Sequence, residues 1–210
     1  MGTVIHKLIF LRAIMTKKKT IIRAFGSYIP EKVLSNFDLE KMVDTSDEWI
    51  MTRTGISERR IANEEETVSH MGKEAALQAL KKANMSPDDI DLIITSTMSP
   101  DTLCPSTATL IQHGIKAYNS AAFDISAACS GFIYGLSIAS AYIQSGLAKN
   151  ILLVSTEKNS AFVDYEDRNT CVIFGDGAGA CIITNEGPGL VVRSFDIGAD
   201  GSEGHLIQIP

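Results

Sequence analysis

Asp124-Ile-Ser-Ala-Ala-Cys-Ser-Gly131 is where a short apolar run meets a long segment almost free of charge. Upstream, Ala121 to Ile125 reads as a buried strand. Downstream, the chain reads as a buried helix running to about Ser145. Between Asn119 and Ala148 the only Asp, Glu, Lys or Arg is Asp124. Cys129 therefore falls at a helix start, where backbone N–H groups are unpaired and the helix dipole is positive. Such a setting lowers a thiol pKa from about 8.5 into the range of roughly 3.5–7.5, and the thiolate is the nucleophile. The small neighbours Ala127, Ala128, Ser130 and Gly131 leave room for a substrate. This is the pattern of a covalent, thioester-forming cysteine. A free cysteine also packs readily as a small hydrophobe, so position alone leaves both roles open.

The other three cysteines read differently. Cys171 and Cys181 lie in apolar, strand-like runs and read as core filler, while Cys104, before Pro105 in a loop-like stretch, is undecided. No C-x-x-C pair or other metal spacing occurs, and a chain of 210 residues needs no disulfides to fold. A reducing cytoplasm is the expected location.

Further out, strands and helices alternate. Thr20 to Phe25 reads as a strand. Ser35-Asn-Phe-Asp38 and Thr45-Ser-Asp-Glu48 carry the capping-box pattern, so a short helix follows each, the second bearing Trp49 and Arg53 and stopping at Gly55. Val68 to Ala83 is an amphipathic helix with Val68, Met71, Ala75, Ala79 and Ala83 on one stripe. Ser86-Pro-Asp-Asp89 caps a single turn. Strands are expected at Leu92 to Thr97, Asn150 to Thr156, Cys171 to Phe174 and Ala178 to Thr184, and a helix at Pro105 to Ile115. The alternation predicts an α/β fold, a mostly parallel sheet covered on both faces. After the turn-rich Asn185-Glu-Gly-Pro-Gly189, Leu190 to Ile197 begins a new strand with no helix following. That ending suggests a protein cut short.

With 45% hydrophobic residues, one core and one domain are expected. A net charge of −6 argues against nucleic acid as a partner. The charge is uneven: six Lys or Arg and no acid precede Glu31, leaving 13 bases against 25 acids beyond. Leu8 to Leu11 is too short for a signal-peptide core, Arg12 interrupts it, and no stretch approaches a membrane span. Residues 1–14, before Met15, read as a disordered extension.

Several patterns are decoys. Gly175-Asp-Gly-Ala-Gly-Ala180 matches a dinucleotide fingerprint, but a strand rather than a helix follows, so close packing or a tight turn is expected. Ser155-Thr-Glu-Lys158 matches S-x-x-K without its companion motifs. His6, His70, His113 and His205 have no metal-ligand spacing and read as exposed.

Four blocks together resemble the β-ketoacyl-acyl-carrier-protein synthase III family: Thr45-Ser-Asp-Glu-Trp-Ile-Met-Thr-Arg-Thr-Gly-Ile56 with Glu58-Arg-Arg-Ile61; Asp124 to Phe132; Glu166-Asp-Arg168; and Phe174 to Ala180. Their order and spacing are also similar, from about Met15 onward. The resemblance implies a thiolase-like layered fold with a buried central helix. Residues 15–187 would form the first of two duplicated halves, the only one complete, and residues 188–210 the opening strand of the second. It also implies a reaction: the cysteine takes an acyl group, typically acetyl, from coenzyme A. Condensation with malonyl-acyl-carrier-protein then releases CO₂ and starts fatty-acid synthesis.

By the same resemblance Cys129 is the acyl-carrying residue, its own N–H part of an oxyanion hole. Trp49 and Arg168 would clasp the adenine of coenzyme A, with Arg53 and Thr45 around its nucleotide and phosphates. Cys104 would line the primer pocket across the dimer interface, where many relatives carry phenylalanine, and admit longer or branched primers. No metal or resident cofactor is implied, since coenzyme A enters as a thioester substrate. A homodimer is expected of the full-length form. The family's histidine and asparagine lie in the second half, so the expectation is that this chain alone cannot complete the condensation and buries its sheet poorly. Competing readings are another coenzyme-A-using condensing enzyme, such as a polyketide or hydroxymethylglutaryl-CoA synthase relative, and a non-catalytic thiolase-fold fragment.

Overall fold

A computed structural model describes residues 18–208; the extension expected at 1–14 lies outside them. A mixed sheet of six strands runs in the order β5-β4-β6-β7-β1-β8. These are β1 (Ile21–Tyr28), β4 (Leu92–Ser96), β5 (Ala121–Ile125), β6 (Asn150–Lys158), β7 (Asp176–Thr184) and β8 (Leu190–Val191). β4 pairs in parallel with both β5 and β6, whereas β7 is antiparallel to β6 and β1, and β1 to β8. Four strands thus run one way, with β7 and β8 reversed.

Side-chain alternation divides the sheet into two cores. Ile93, Leu152, Val154, Ala180 and Ile182 face helices α3 (Val68–Ala83) and α4 (Thr107–Ile115). Ile94, Ile151, Leu153, Cys181 and Ile183 face helix α5 (Gly131–Ser145). Both faces being covered explains why β4 and β6 read as continuous apolar runs. The α3 stripe expected from periodicity is buried throughout. Its close seat on β1 needs Gly26, where a Cβ would fall 2.1 Å from the Ala75 carbonyl oxygen.

A smaller unit flanks the sheet: β2 (Val33–Ser35) paired with β3 (Glu58–Arg60), and helices α1 (Asn36–Leu39) and α2 (Asp47–Thr54). Leu39, Ile50, Cys171 and Val172 form its core. Arg59, only 5% exposed, pins it together: its guanidinium donates to the Leu34 carbonyl, Asn36 Oδ1 and the Val172 carbonyl, at 2.9–3.1 Å.

Some expectations need correction. Cys171 to Phe174 is not a strand but part of consecutive turns. The Asp167 carbonyl accepts from Thr170 N and Cys171 N, and its carboxylate accepts from Asn169 N and Thr170 Oγ1. Local side-chain bonding of this kind outcompetes a strand ladder, and an apolar pair buried in a turn looks like a strand by pattern alone. Only Leu190–Val191 of the strand expected to reach Ile197 forms; beyond it Val192 and Phe195 fold against the α5 core instead. Helix α2 is capped by Ser46, not Thr45: Ser46 Oγ accepts from Trp49 N at 3.1 Å. No helix among the described residues is long and apolar enough to cross a membrane.

Candidate active site

Cys129 lies in a 3-10 turn, Ala128–Ser130, that runs straight into α5. The α-helix itself begins two residues later than the cysteine, not at it. No side chain caps α5, so its first N–H groups have no side-chain acceptor. Ala128 adopts φ 47, the left-handed region that costs a residue with a Cβ roughly 1 kcal/mol or more. Strain of this kind, immediately before a solvent-exposed thiol, marks a turn whose shape is set by something other than local preference.

A close contact follows the turn. Gly131 sits so near the end of β4 that a Cβ there would lie 1.8 Å from Ser96 Oγ. Thr97 N–H, just past β4, donates to the carbonyl of Ile125, the last residue of β5, at 3.2 Å. Asp124, the lone charge of its segment, spends that charge on α4: its two oxygens accept from Thr107 N and Ala108 N, each at 2.7 Å. This satisfies two orphan donors and complements the dipole. Cys104 is exposed in the loop leaving β4 at the same sheet edge as the Cys129 turn. That edge, at the C-terminal ends of parallel strands, is where α/β sheets place their chemistry.

The expected coenzyme A residues occur together elsewhere, on the flanking unit. Arg53 Cζ lies 4.4 Å, and Arg168 Cζ 4.6 Å, from the centre of the Trp49 ring. Arg168 is held from below by the Asp44 carbonyl at 2.9 Å. Thr45 Oγ1 is shielded from solvent and has no hydrogen-bond partner; having ceded the cap to Ser46, it is a polar atom without a protein use. The structure thus unites Trp49, Arg53 and Arg168, with Thr45 beside them in sequence, and separates this cluster by element from Cys129 and Cys104.

His113 and His205 are exposed as expected, and His6 falls outside the described residues. His70 corrects the pattern, being half-buried and edge-on to Tyr28 in a small polar cleft that Glu66 also lines. There Tyr28 donates to Glu66 Oε1 at 2.6 Å. That bond pushes the Tyr28 pKa up to about 12 and holds the Glu66 carboxyl below its usual range. Burial pushes the Cys181 thiol up to about 12 and raises that of Cys171, the behaviour of filler. Among the described residues no group of three His, Cys, Asp or Glu is placed to hold a metal ion. The glycine-rich block, far from cradling a nucleotide, enters β7 directly.

The family model for 3-oxoacyl-[acyl-carrier-protein] synthase III matches residues 123–201, a span that takes in the Cys129 turn, α5 and Arg168. The β-ketoacyl-[acyl-carrier-protein] synthase III of Chlamydia pneumoniae is 54% identical over 194 residues, 92% of this chain and 58% of that protein. The chain belongs to the β-ketoacyl-acyl-carrier-protein synthase III family. The synthase III of Aquifex aeolicus is 55% identical over 90% of this chain and 61% of its own length. A crystal structure of the Aquifex aeolicus synthase superposes with a TM-score of 0.79 at 58% identity, covering 80% of this chain and 55% of that one. The layered fold with its mixed sheet is therefore that of the synthase III family, and the chain spans about three-fifths of the curated relatives' length.

Sequence reasoning did not find the strain at Ala128 or the Ser96–Gly131 contact, because both depend on how β4 and α5 meet in space. The only available hint was the run of small residues around Cys129.

Proposed function

We propose that this chain carries the acyl-loading site of a β-ketoacyl-acyl-carrier-protein synthase III acting in the cytoplasm as a homodimer. The observation that carries the reading is an exposed thiol on a strained turn at an uncapped helix start. The Cys129 thiolate attacks the carbonyl of an acyl-coenzyme A. The developing oxyanion takes a hydrogen bond from a backbone N–H at the turn. The bond to the coenzyme A sulfur breaks, and that sulfur leaves as a thiolate and takes up a proton.

Coenzyme A is placed by the Trp49 cluster. A flat adenine suits the Trp49 face once a guanidinium now lying over it swings aside, and the cations suit phosphates, with Thr45 beside them in sequence. Cys104 borders the space for the acyl chain across the dimer interface. In the full-length form, condensation with malonyl-acyl-carrier-protein, with loss of CO₂, then moves the acyl group on to a new carbon–carbon bond and frees the thiol; residues 1–210 alone do not complete that step. Residues 15–187 act as the acyl-loading half, and residues 188–210 as the start of the next.

Trp49 is the sole tryptophan of the chain, so its fluorescence reports on this site alone. Adding coenzyme A is expected to quench or shift it saturably, and Arg168→Ala to weaken the response about tenfold, the loss of roughly 1–2 kcal/mol of stacking and charge. An emission spectrum unchanged by millimolar coenzyme A rules this placement out.

A further inference from the structure

Asn36, the first residue of α1, is fully buried and its amide is used at both ends. Oδ1 accepts from Arg59 Nη1 and Nη2, each at 3.0 Å. Nδ2 donates to Asp47 Oδ1 and to the Ile56 carbonyl, each at 2.8 Å. The amide oxygen thus faces a buried cation and the amide nitrogen faces a carboxylate. Asp47 is the first residue of α2, the helix that bears Trp49 and Arg53. On the other side, Arg59 also donates to the carbonyl of Val172, in the stretch of chain that carries Arg168. One side chain therefore links the two segments whose residues meet at the Trp49 ring.

Helix α2 has little else to fix it. It is eight residues long and Ile50 is its one buried residue, and so short a helix takes its place from tertiary contacts. Its other polar attachment also comes from α1: Glu40 Oε1 accepts from Asp47 N at 2.7 Å. Arg168, in turn, is held by the Asp44 carbonyl at 2.9 Å, from the loop between α1 and α2. Buried amides bonded at both ends are costly to disturb, because each partner is left without a substitute.

We infer that Asn36 is a positioning residue for coenzyme A: acting through Asp47 and Arg59, it sets where α2 stands against the Arg168 segment, and so how Trp49 meets Arg168. This rests on the placement of coenzyme A at Trp49, whereas the coupling of Asn36 to the Trp49–Arg168 pair stands on the hydrogen bonds alone.

The test uses the 210-residue chain, with coenzyme A as the probe and Trp49 emission as the readout. Asn36→Asp keeps an acceptor for Arg59 but puts a second acceptor where Asp47 and the Ile56 carbonyl need a donor. The Kd for coenzyme A is expected to rise about fivefold or more. Adding Asp47→Asn restores a donor across that contact at the net charge of the unsubstituted chain, and should recover most of the loss. A residue that only supports the fold would lower the urea midpoint without moving the Kd of the folded chain. An unchanged Kd in folded Asn36→Asp, or a double variant no better than the single, overturns the proposal. Where Asn36→Asp costs the fold, Asp47→Ala and Asp47→Asn decide, since they share a charge and only Asn keeps an oxygen for Asn36 Nδ2. Ala should bind coenzyme A about threefold more weakly than Asn, and equal Kd values overturn the proposal. If the unsubstituted chain gives no response to coenzyme A, the coenzyme A placement falls, and acrylamide quenching of Trp49 tests the coupling by itself. Quenching that rises in Asn36→Asp and returns in the double variant supports the coupling; quenching that stays the same overturns it.

Discussion

Ser96 Oγ occupies the place where a side chain on Gly131 would begin, 1.8 Å from an ideal Cβ. The strand end and the helix start thus close on each other directly after the Cys129 turn. Gly131→Ala is expected to destabilise the protein by about 2 kcal/mol, the cost of forcing an extra carbon into a packed contact. It should also change the rate at which Cys129 meets thiol reagents. Urea unfolding with and without Ser96→Gly checks it: the second substitution should recover part of the loss, and independent effects would contradict the contact.

The four thiols should separate into two pairs. Cys104 and Cys129 are exposed, whereas Cys171 and Cys181 are buried with pKa values raised by burial. With Ellman's reagent at pH 8, the exposed pair should react promptly and the buried pair only after denaturant is added. Prompt reaction of Cys181, held at about 12, would contradict the packing of the α5 core.

Arg59 offers a sharper stability test than any exposed ion pair. Arg59→Ala strips hydrogen bonds from Asn36 Oδ1 and the Leu34 and Val172 carbonyls inside a buried unit, at a cost of about 3 kcal/mol. Arg59→Lys should restore little, since one ammonium cannot span the fork. Both variants are expected to alter Trp49 fluorescence, because α2 and Val172 share the same small core. Denaturant unfolding followed at Trp49 measures it.

The Tyr28–Glu66 pair predicts opposite pH limits. Tyr28 has a folded pKa raised to about 12, so its stabilising effect is complete below the unfolded value of 10.0 and fades as pH rises through 12. Glu66 has a folded pKa held below 4.5, so its contribution is present above that value and lost as pH falls through the depressed one. Tyr28→Phe should remove the latest-titrating component of the ultraviolet phenolate signal and flatten stability against pH at both ends.

How much of this was legible beforehand depended on whether a signal was local. The α3 stripe, the Ser35 and Ser86 caps and the buried strands β4 and β6 follow from periodicity and turn chemistry, and the structure carries each as expected. Asp124 stood out as one charge in an apolar segment, yet its partners on α4 are set by the parallel β4–β5 pairing that no local pattern reveals. Cys171 and Val172 misread as strand because burial was inferred correctly and backbone geometry was not. Trp49 and Arg168 lie far apart in sequence and meet only through the core of the flanking unit, so their pairing came from resemblance and not from spacing.

Acetyl transfer to the thiol tests the central claim most directly. The chain is incubated with acetyl-coenzyme A, and the peptide bearing Cys129 is weighed while released coenzyme A is assayed. One acetyl group on Cys129 per coenzyme A freed, abolished in Cys129→Ser, is the predicted result. A folded chain that releases no coenzyme A, or that carries its acetyl group on Cys104 instead, contradicts the account.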